Sequence, residues 1–179
     1  MKLRPEQIHS QLQKQVLPVY LVSGDETLLV QETCDAIRAA AREAGCSERE
    51  LMHVDKKFNW DELIASSAEM SLFAERKLIE LRIPSGKPGT EGSKAFNQYL
   101  ESPSENILLI VAGKIDKAST NSKWFKALDQ AGAVIQVWPI DQRELPRWIS
   151  QRVKQQGMDI DHEALGLLCD RIEGNLLAA

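Results

Sequence analysis

Val19-Tyr20-Leu21-Val22-Ser23-Gly24-Asp25-Glu26-Thr27-Leu28-Leu29-Val30 is the stretch whose reading decides the fold. Four consecutive apolar or aromatic residues, Val19 to Val22, read as a buried strand. A glycine turn follows, and then Val30, Cys34, Ile37, Ala41 and Ala44 recur at helical spacing. The same alternation continues downstream. Leu51-Met52-His53-Val54, Leu78 to Ile83, Ile107 to Ala112 and Ala133 to Trp138 read as four further strands. Trp60, Leu63 and Ile64 mark one intervening helix, with Asn59 and Glu62 spaced as its capping box. Trp124, Phe125 and Leu128 mark another. Pro84 to Ser93, dense in glycine and proline, reads as a loop. Strands alternating with helices predict an α/β domain around a five-stranded, mainly parallel sheet.

After Pro139 the pattern becomes helical. Asp141 and Glu144 are spaced as a capping box ahead of a stripe of Leu145, Trp148, Ile149 and Val153, which Gln155-Gln156-Gly157 ends. Asp161 is placed to cap a helix carrying Leu165, Leu168 and Ile172. The expected division is 1–140 and 141–179, the second part being the start of a small all-helical domain. Asn175 to Ala179 reads as the beginning of one more helix, so the chain is expected to be a fragment of a longer protein.

The 179 residues carry 22 Lys+Arg against 26 Asp+Glu, a net charge of −4, with 43% hydrophobic and 27% charged residues. That balance is globular and excludes a disordered tail, a collagen-like rod and a disulfide-stapled miniprotein. A pI near 5.5 argues against a free-standing nucleic-acid binder but leaves room for local basic patches. Cys34, Cys46 and Cys169 lack Cys-x-x-Cys spacing, which fits a reducing cytosol and no zinc site. The N-terminus lacks a signal-peptide core, and the longest apolar run, Ile107 to Ala112, is too short to span a membrane.

The turn after the first strand is where an α/β fold places a phosphate loop. A P-loop needs a second glycine followed by Lys and Ser/Thr. Asp25 and Glu26 stand there instead, and their charge would repel a triphosphate. Gly86-Lys87 and Gly113-Lys114 lack the earlier glycine and the following hydroxyl. The fourth strand ends in Ala112-Gly113-Lys114 without the acidic pair a Mg²⁺ site uses. Glu80, inside the third strand, reads as a solvated or paired side chain. His9, His53 and His162 have no metal-ligand spacing, and no G-x-S-x-G elbow occurs. No catalytic residue, cofactor site or metal site is therefore expected. Lys114, Lys117, Lys123 and Lys126, and Arg143, Arg147, Arg152 and Lys154, form either solvated faces or contacts to nucleic acid or an acidic partner.

Ala68-Glu69-Met70-Ser71-Leu72-Phe73-Ala74 is the most informative stretch. At about 100° per residue, Trp60, Leu63, Ile64, Ser67 and Ser71 share one stripe, with Met70 at its edge. Leu72 and Phe73 then fall roughly 120–140° from the centre of that stripe. If the helix continues, they point away from the core; if it ends near Met70, both turn inward. Periodicity leaves the two readings level.

Taken in order, these motifs resemble a known family. Val19 to Glu26 with Leu28-Leu29 and Gln31-Glu32, Met70 to Ala74, Ile107 to Val111, Leu145-Pro146-Arg147-Trp148 and Glu173 to Ala178 are similar to the delta subunits of the bacterial DNA polymerase III clamp loader, nearest the proteobacterial branch. Each motif alone is weak; the ordered set over the whole chain is specific. The resemblance implies an AAA+-like domain with a degenerate P-loop, followed by part of a helical lid, with the collar domain missing. It implies a non-catalytic subunit of the holoenzyme, itself a nucleotidyltransferase complex, with no cofactor of its own. It further implies an exposed wedge of Met70, Ser71, Leu72 and Phe73 that binds and opens the beta sliding clamp. Leu72 and Phe73 would fill the clamp pocket and Met70 would support them. The other implied partners are the motor gamma/tau and delta prime subunits, and primed DNA through the complex, with no membrane contact. The competing readings are an ATP-binding AAA+ ATPase and a direct DNA-binding module.

Overall fold

Side chains alternate across a strand, so each apolar run supplies two faces. In the computed structural model, Val19, Leu21, Ile79, Leu81, Ile83, Leu108, Ile110 and Val134 belong to one buried cluster. The alternate residues Tyr20, Val22, Leu78, Ile107, Leu109 and Ile135 are buried as well. The structure describes residues 1–68, 76–101, 105–172 and 174–178. They form six strands and seven α-helices in two compact units, Met1–Val137 and Trp138–Ala179.

The first unit runs β1 (Lys2–Leu3), α1 (Ile8–Lys14), β2 (Val19–Gly24), α2 (Thr27–Glu43), β3 (Cys46–His53), α3 (Asp61–Ala68), β4 (Arg76–Ile83), α4 (Gly89–Glu101), β5 (Ile107–Ala112), α5 (Lys123–Ala131) and β6 (Ala133–Val137). The sheet order is β1-β6-β2-β5-β4-β3, and every pair is parallel. All five expected strands are present. The sixth, β1, is only two residues long and pairs Lys2 with Val134 and Leu3 with Ile135. Two residues carry no periodicity, which is why the sequence does not announce it.

Helices cover both faces, as parallel strands require. On one side α2 buries Leu29, Cys34, Ile37 and Ala41. On the other, α3, α4 and α5 pack side by side and contribute Leu63, Phe96, Tyr99, Trp124, Phe125 and Leu128 to the core. An aromatic series ties these three helices together. Phe58 meets Trp60 at 5.1 Å between ring centroids, Trp60 meets Phe96 at 5.5 Å, and Phe96 meets Trp124 at 6.0 Å. Part of the expected loop at Pro84 to Ser93 is helical, because α4 begins at Gly89. Gly92 is there for packing rather than for turning. A Cβ on it would lie 2.4 Å from Cζ2 of Trp60.

The second unit holds α6 (Leu145–Gln155) and α7 (His162–Ile172), which pack on each other. Leu145, Ile149 and Ile172 are buried. Gly157, at φ +74°, closes α6 in a left-handed cap, and the Met158 amide donates back to the Val153 carbonyl. Asp161 caps α7 by accepting from the Ala164 amide at 2.8 Å. Asp141 instead accepts from the Arg143 amide, so residues 141–144 form a turn ahead of α6 rather than its capping box. Leu176–Ala178 is a single 3₁₀ turn.

Two glycine substitutions test this architecture in opposite directions. At Gly24, paired with Val137 across β2 and β6, a Cβ would lie 2.2 Å from the Val137 carbonyl oxygen. Gly24→Ala is expected to lower stability by about 1–3 kcal/mol through overpacking. Gly166, inside α7, has nothing within 4 Å of a built Cβ. Gly166→Ala should therefore raise stability by up to about 1 kcal/mol. Urea unfolding of both variants measures the two signs.

Candidate functional site

Met70, Ser71, Leu72 and Phe73 lie outside the described residues. The described residues on either side of 69–75 form a frame built from three elements. The helix α3 leads into the segment and β4 leads out of it. The aromatic series seats the start of α3 through Trp60, and fully buried Leu63 anchors its middle. Where α3 approaches its end, Ser66 is buried and donates from Oγ to Glu50 Oε2 on β3 at 2.6 Å. Lys77, the second residue of β4, donates from Nζ to the same oxygen at 2.9 Å. Burial works to raise the Glu50 pKa. The Ser66 hydrogen bond and the hydrogen bond and charge of Lys77 outweigh it, so the carboxyl sits below its ordinary value. Arg76, the first residue of β4, donates from Nε to the Glu105 carbonyl at 2.8 Å and from a terminal nitrogen to the Ala44 carbonyl at 3.2 Å. The amide of Lys77 donates to the Asn106 side chain at 2.9 Å.

Sequence reasoning missed this frame. The projection used above puts Ser67 on the apolar stripe and Ser66 about 60° from Leu63. The structure buries Ser66 at 3% exposure and leaves Ser67 half-buried. The only available signal was a serine next to an apolar helix stripe, a common pattern with no direction to it.

The turn from β2 to α2 shows what became of the nucleotide position. Gly24 serves the close pairing with Val137, and Asp25 makes an ion pair with Lys114 at 3.7 Å. An open pocket of about 520 Å³ lies beside this turn, lined by Gly24, Asp25, Val30, Cys34, Arg82 and Gly113 among others. Its position at the C-terminal ends of parallel strands is the usual ligand crevice of α/β folds. Counted from Gly24, the P-loop lysine position falls on Val30, and the lining carries Asp25 together with Arg38 and Arg82. Burial pushes the Cys34 thiol up to about 12 against the opposing charge of Arg38, so it stays protonated and is no nucleophile.

Behind the pocket stands Glu80, fully buried on β4. Arg38 of α2 grips it with two bonds of 2.9 Å, Arg82 donates at 3.0 Å, and Arg49 of β3 lies at 3.1 Å. Burial favours the neutral acid, but the hydrogen bonds from Arg38 and Arg82 and the charges of Arg38 and Arg49 hold the carboxyl below its ordinary value. Of the two readings open for Glu80, the paired one is correct. Asp35 makes a further ion pair to Arg38 at 2.5 Å.

The basic residues split between the two units. Lys87 pairs with Asp116 at 2.9 Å, and the Lys87 and Ser119 hydrogen bonds hold the Asp116 carboxyl well below the usual range. On α6, Arg147, Ser150, Gln151 and Lys154 line a shallow open groove, and the Arg152 guanidinium stacks 4.9 Å from the Trp148 ring centre. Among the described residues no group of three or more His, Cys, Asp or Glu side chains is placed to hold a metal ion. None of the described helices is long and apolar enough to cross a membrane.

This geometry, a doubly covered parallel sheet without a phosphate loop, can be set beside known proteins. The model of the family described as DNA polymerase III, delta subunit, matches residues 20–137. The chain belongs to that family. It is 34% identical over 178 residues to the DNA polymerase III subunit delta of Escherichia coli, covering 99% of this chain and 52% of the relative. The Haemophilus influenzae subunit delta is 31% identical, with 99% and 52% covered. This delta-family chain thus spans about half the length of the curated relatives it matches. Among solved structures, the clamp loader delta protein of Bacillus subtilis superposes with a TM-score of 0.74 at 23% identity, over 97% of this chain and 54% of that one. The ORC2 protein of Aeropyrum pernix, solved as ADPNP-ADP complexes, shares the fold at a TM-score of 0.50 and 15% identity, over 84% of this chain and 50% of that one. The α/β fold is AAA+-like.

Glu80→Gln provides the electrostatic test of the frame. At neutral pH the variant should be less stable by about 3 kcal/mol, because it breaks a buried ion pair. A carboxyl held below its ordinary value stabilises the fold above roughly pH 4 and stops doing so as pH falls through the lower folded value. The difference from the parent should therefore narrow in acid. Urea midpoints at pH 7 and pH 3.5 measure it.

Proposed function

We propose that this chain is the clamp-binding part of a clamp-loader delta subunit, with Met70, Ser71, Leu72 and Phe73 as the wedge that engages the beta sliding clamp. The observation that carries the reading is the family membership over residues 20–137, which enclose these four positions. The anchored ends of α3 and β4 support it, since they offer a fixed mount for a short contact segment. The work is mechanical. A wedge that binds the open ring better than the closed one shifts the ring towards opening by its differential affinity alone. Burying two large apolar side chains is worth about 3–6 kcal/mol before association costs, a scale that can bias one strained ring interface. The subunit has no catalytic centre of its own in this reading and serves the polymerase holoenzyme as an accessory. The ATP cycle of the motor gamma/tau subunits, assembled with delta prime, controls when the wedge is presented, and primed DNA is met through the assembled loader in the cytoplasm. Residues 1–140 are the AAA+-like clamp-binding domain, and 141–179 are part of the lid that precedes a collar.

Purified beta clamp immobilised on a sensor tests this. The parent chain is expected to bind, and the folded Leu72→Ala/Phe73→Ala variant to bind at least about 100-fold more weakly. Equal binding by the two would overturn the wedge assignment. In the same preparation, isothermal titration with ATP should show no saturable heat; a saturable isotherm would favour the ATPase reading. Tight, strongly salt-dependent binding to duplex DNA in the absence of the clamp would favour the DNA-binding module.

A further inference from the structure

We propose that Glu50 is a positioning residue for the clamp contact, holding the two ends of the wedge segment on one carboxylate oxygen. The inference rests on the wedge reading given above and names the part of the fold that sets its geometry. Ser66 lies near the end of α3 and Lys77 near the start of β4, and both donate to Glu50 Oε2, at 2.6 and 2.9 Å. Residues 67–76 run between these two donors, and the four wedge residues sit among them. Glu50 belongs to neither flanking element. It stands on β3 opposite Ile79 of β4, so the sheet register fixes where the oxygen lies.

Ser66 and Lys77 are both nearly closed to solvent, at 3% and 6% exposure, whereas the Glu50 side chain is 40% exposed. The clip thus sits at the rim of the core with its two donors inside. Holding the ends of a short segment removes closure entropy that a partner would otherwise have to supply on binding. A charged acceptor suits the task, because hydrogen bonds to a carboxylate are short and strong and one oxygen can take both. The Arg76 bonds to the Glu105 and Ala44 carbonyls fix the same end of β4 to the segments that precede β5 and β3, so the clip governs chiefly the spacing between the α3 and β4 ends.

The test measures clamp affinity and thermal unfolding for the parent, Glu50→Gln, Ser66→Ala, Leu72→Ala and the Glu50→Gln/Leu72→Ala pair. Glu50→Gln is expected to weaken clamp binding about 10-fold and Ser66→Ala about 3-fold, with the folded fraction unchanged at the assay temperature. Because Glu50 acts through the wedge, its substitution should cost less than about 3-fold once Leu72 is already alanine. A merely stabilising role would give the same loss in both backgrounds, and that result overturns the proposal. So does Glu50→Gln binding like the parent while Leu72→Ala is impaired. If Glu50→Gln fails to fold, Ser66→Ala carries the test, since it removes one arm of the clip without touching a charge; parent-like binding by that variant overturns the proposal. A parent that does not bind the clamp, or a Leu72→Ala/Phe73→Ala variant that binds like it, removes the wedge reading itself and this proposal with it.

Discussion

The central strands have water on neither face, and most of this structure follows from that constraint. β2, β4 and β5 are each paired on both sides and covered above and below by helices. A charge can enter such a layer only if its partners enter with it. Glu80 is the case in point. One carboxylate on a fully buried position draws Arg38 from α2, Arg82 from its own strand and Arg49 from β3. The cluster ties α2, β3 and β4 to one another on the face opposite the aromatic series. α3 and the start of β4 therefore belong to a layer held on one side of the sheet by ion pairs and on the other by edge-to-face and tilted rings.

The same constraint decided what the sequence could reveal. Strands buried on both faces are written as unbroken apolar runs, so Val19 to Val22 and Ile107 to Ala112 can be read directly. Helices lying on them keep a stripe, so Cys34, Ile37 and Ala41 can be read as well. Pairwise polar contacts leave no such trace. Ser66 lies 16 residues from Glu50, and Lys77 lies 27 from it. Arg38 reaches Glu80 across 42 residues. Nothing in the local spacing of a serine, a lysine or an arginine names a partner so far along the chain. Only the parallel register, in which Glu50 comes to stand beside Ile79, brings them together. The proposed wedge positions were legible through resemblance alone, since periodicity left Leu72 and Phe73 level between two orientations.

Glycine was the most misleading signal. Gly24 stands where a nucleotide-binding glycine would stand, yet its missing side chain is used by the Val137 carbonyl of the next strand. Gly92, read as part of a loop, is the second glycine that packing selected, because the Trp60 ring rests against it inside a helix. At Gly92 the absence of a Cβ answers to a close approach rather than to a turn, and at Gly24 a close approach and a φ of +154° both call for it. A glycine in sequence does not say which of the two applies.

A mechanical role asks something different of a fold than catalysis does. No pKa has to be tuned near neutrality, and no group has to meet a reacting atom. Groups with a displaced pKa are instead held in one state, Glu50, Glu80 and Asp116 ionised and Cys34 protonated among them. Groups locked in this way are poor acids and bases at neutral pH, but they make dependable fixtures. A wedge that must transmit a differential affinity to a partner needs its mount to give less than the partner does, because any yielding at the mount spends the binding energy there. In the proposed reading, the Glu50 carboxylate on edge strand β3, which accepts from Ser66 of α3 and Lys77 of β4, supplies that stiffness with ordinary residues. An AAA+-like fold whose first strand-to-helix turn carries Asp25 and Glu26 would serve, in that reading, as a scaffold.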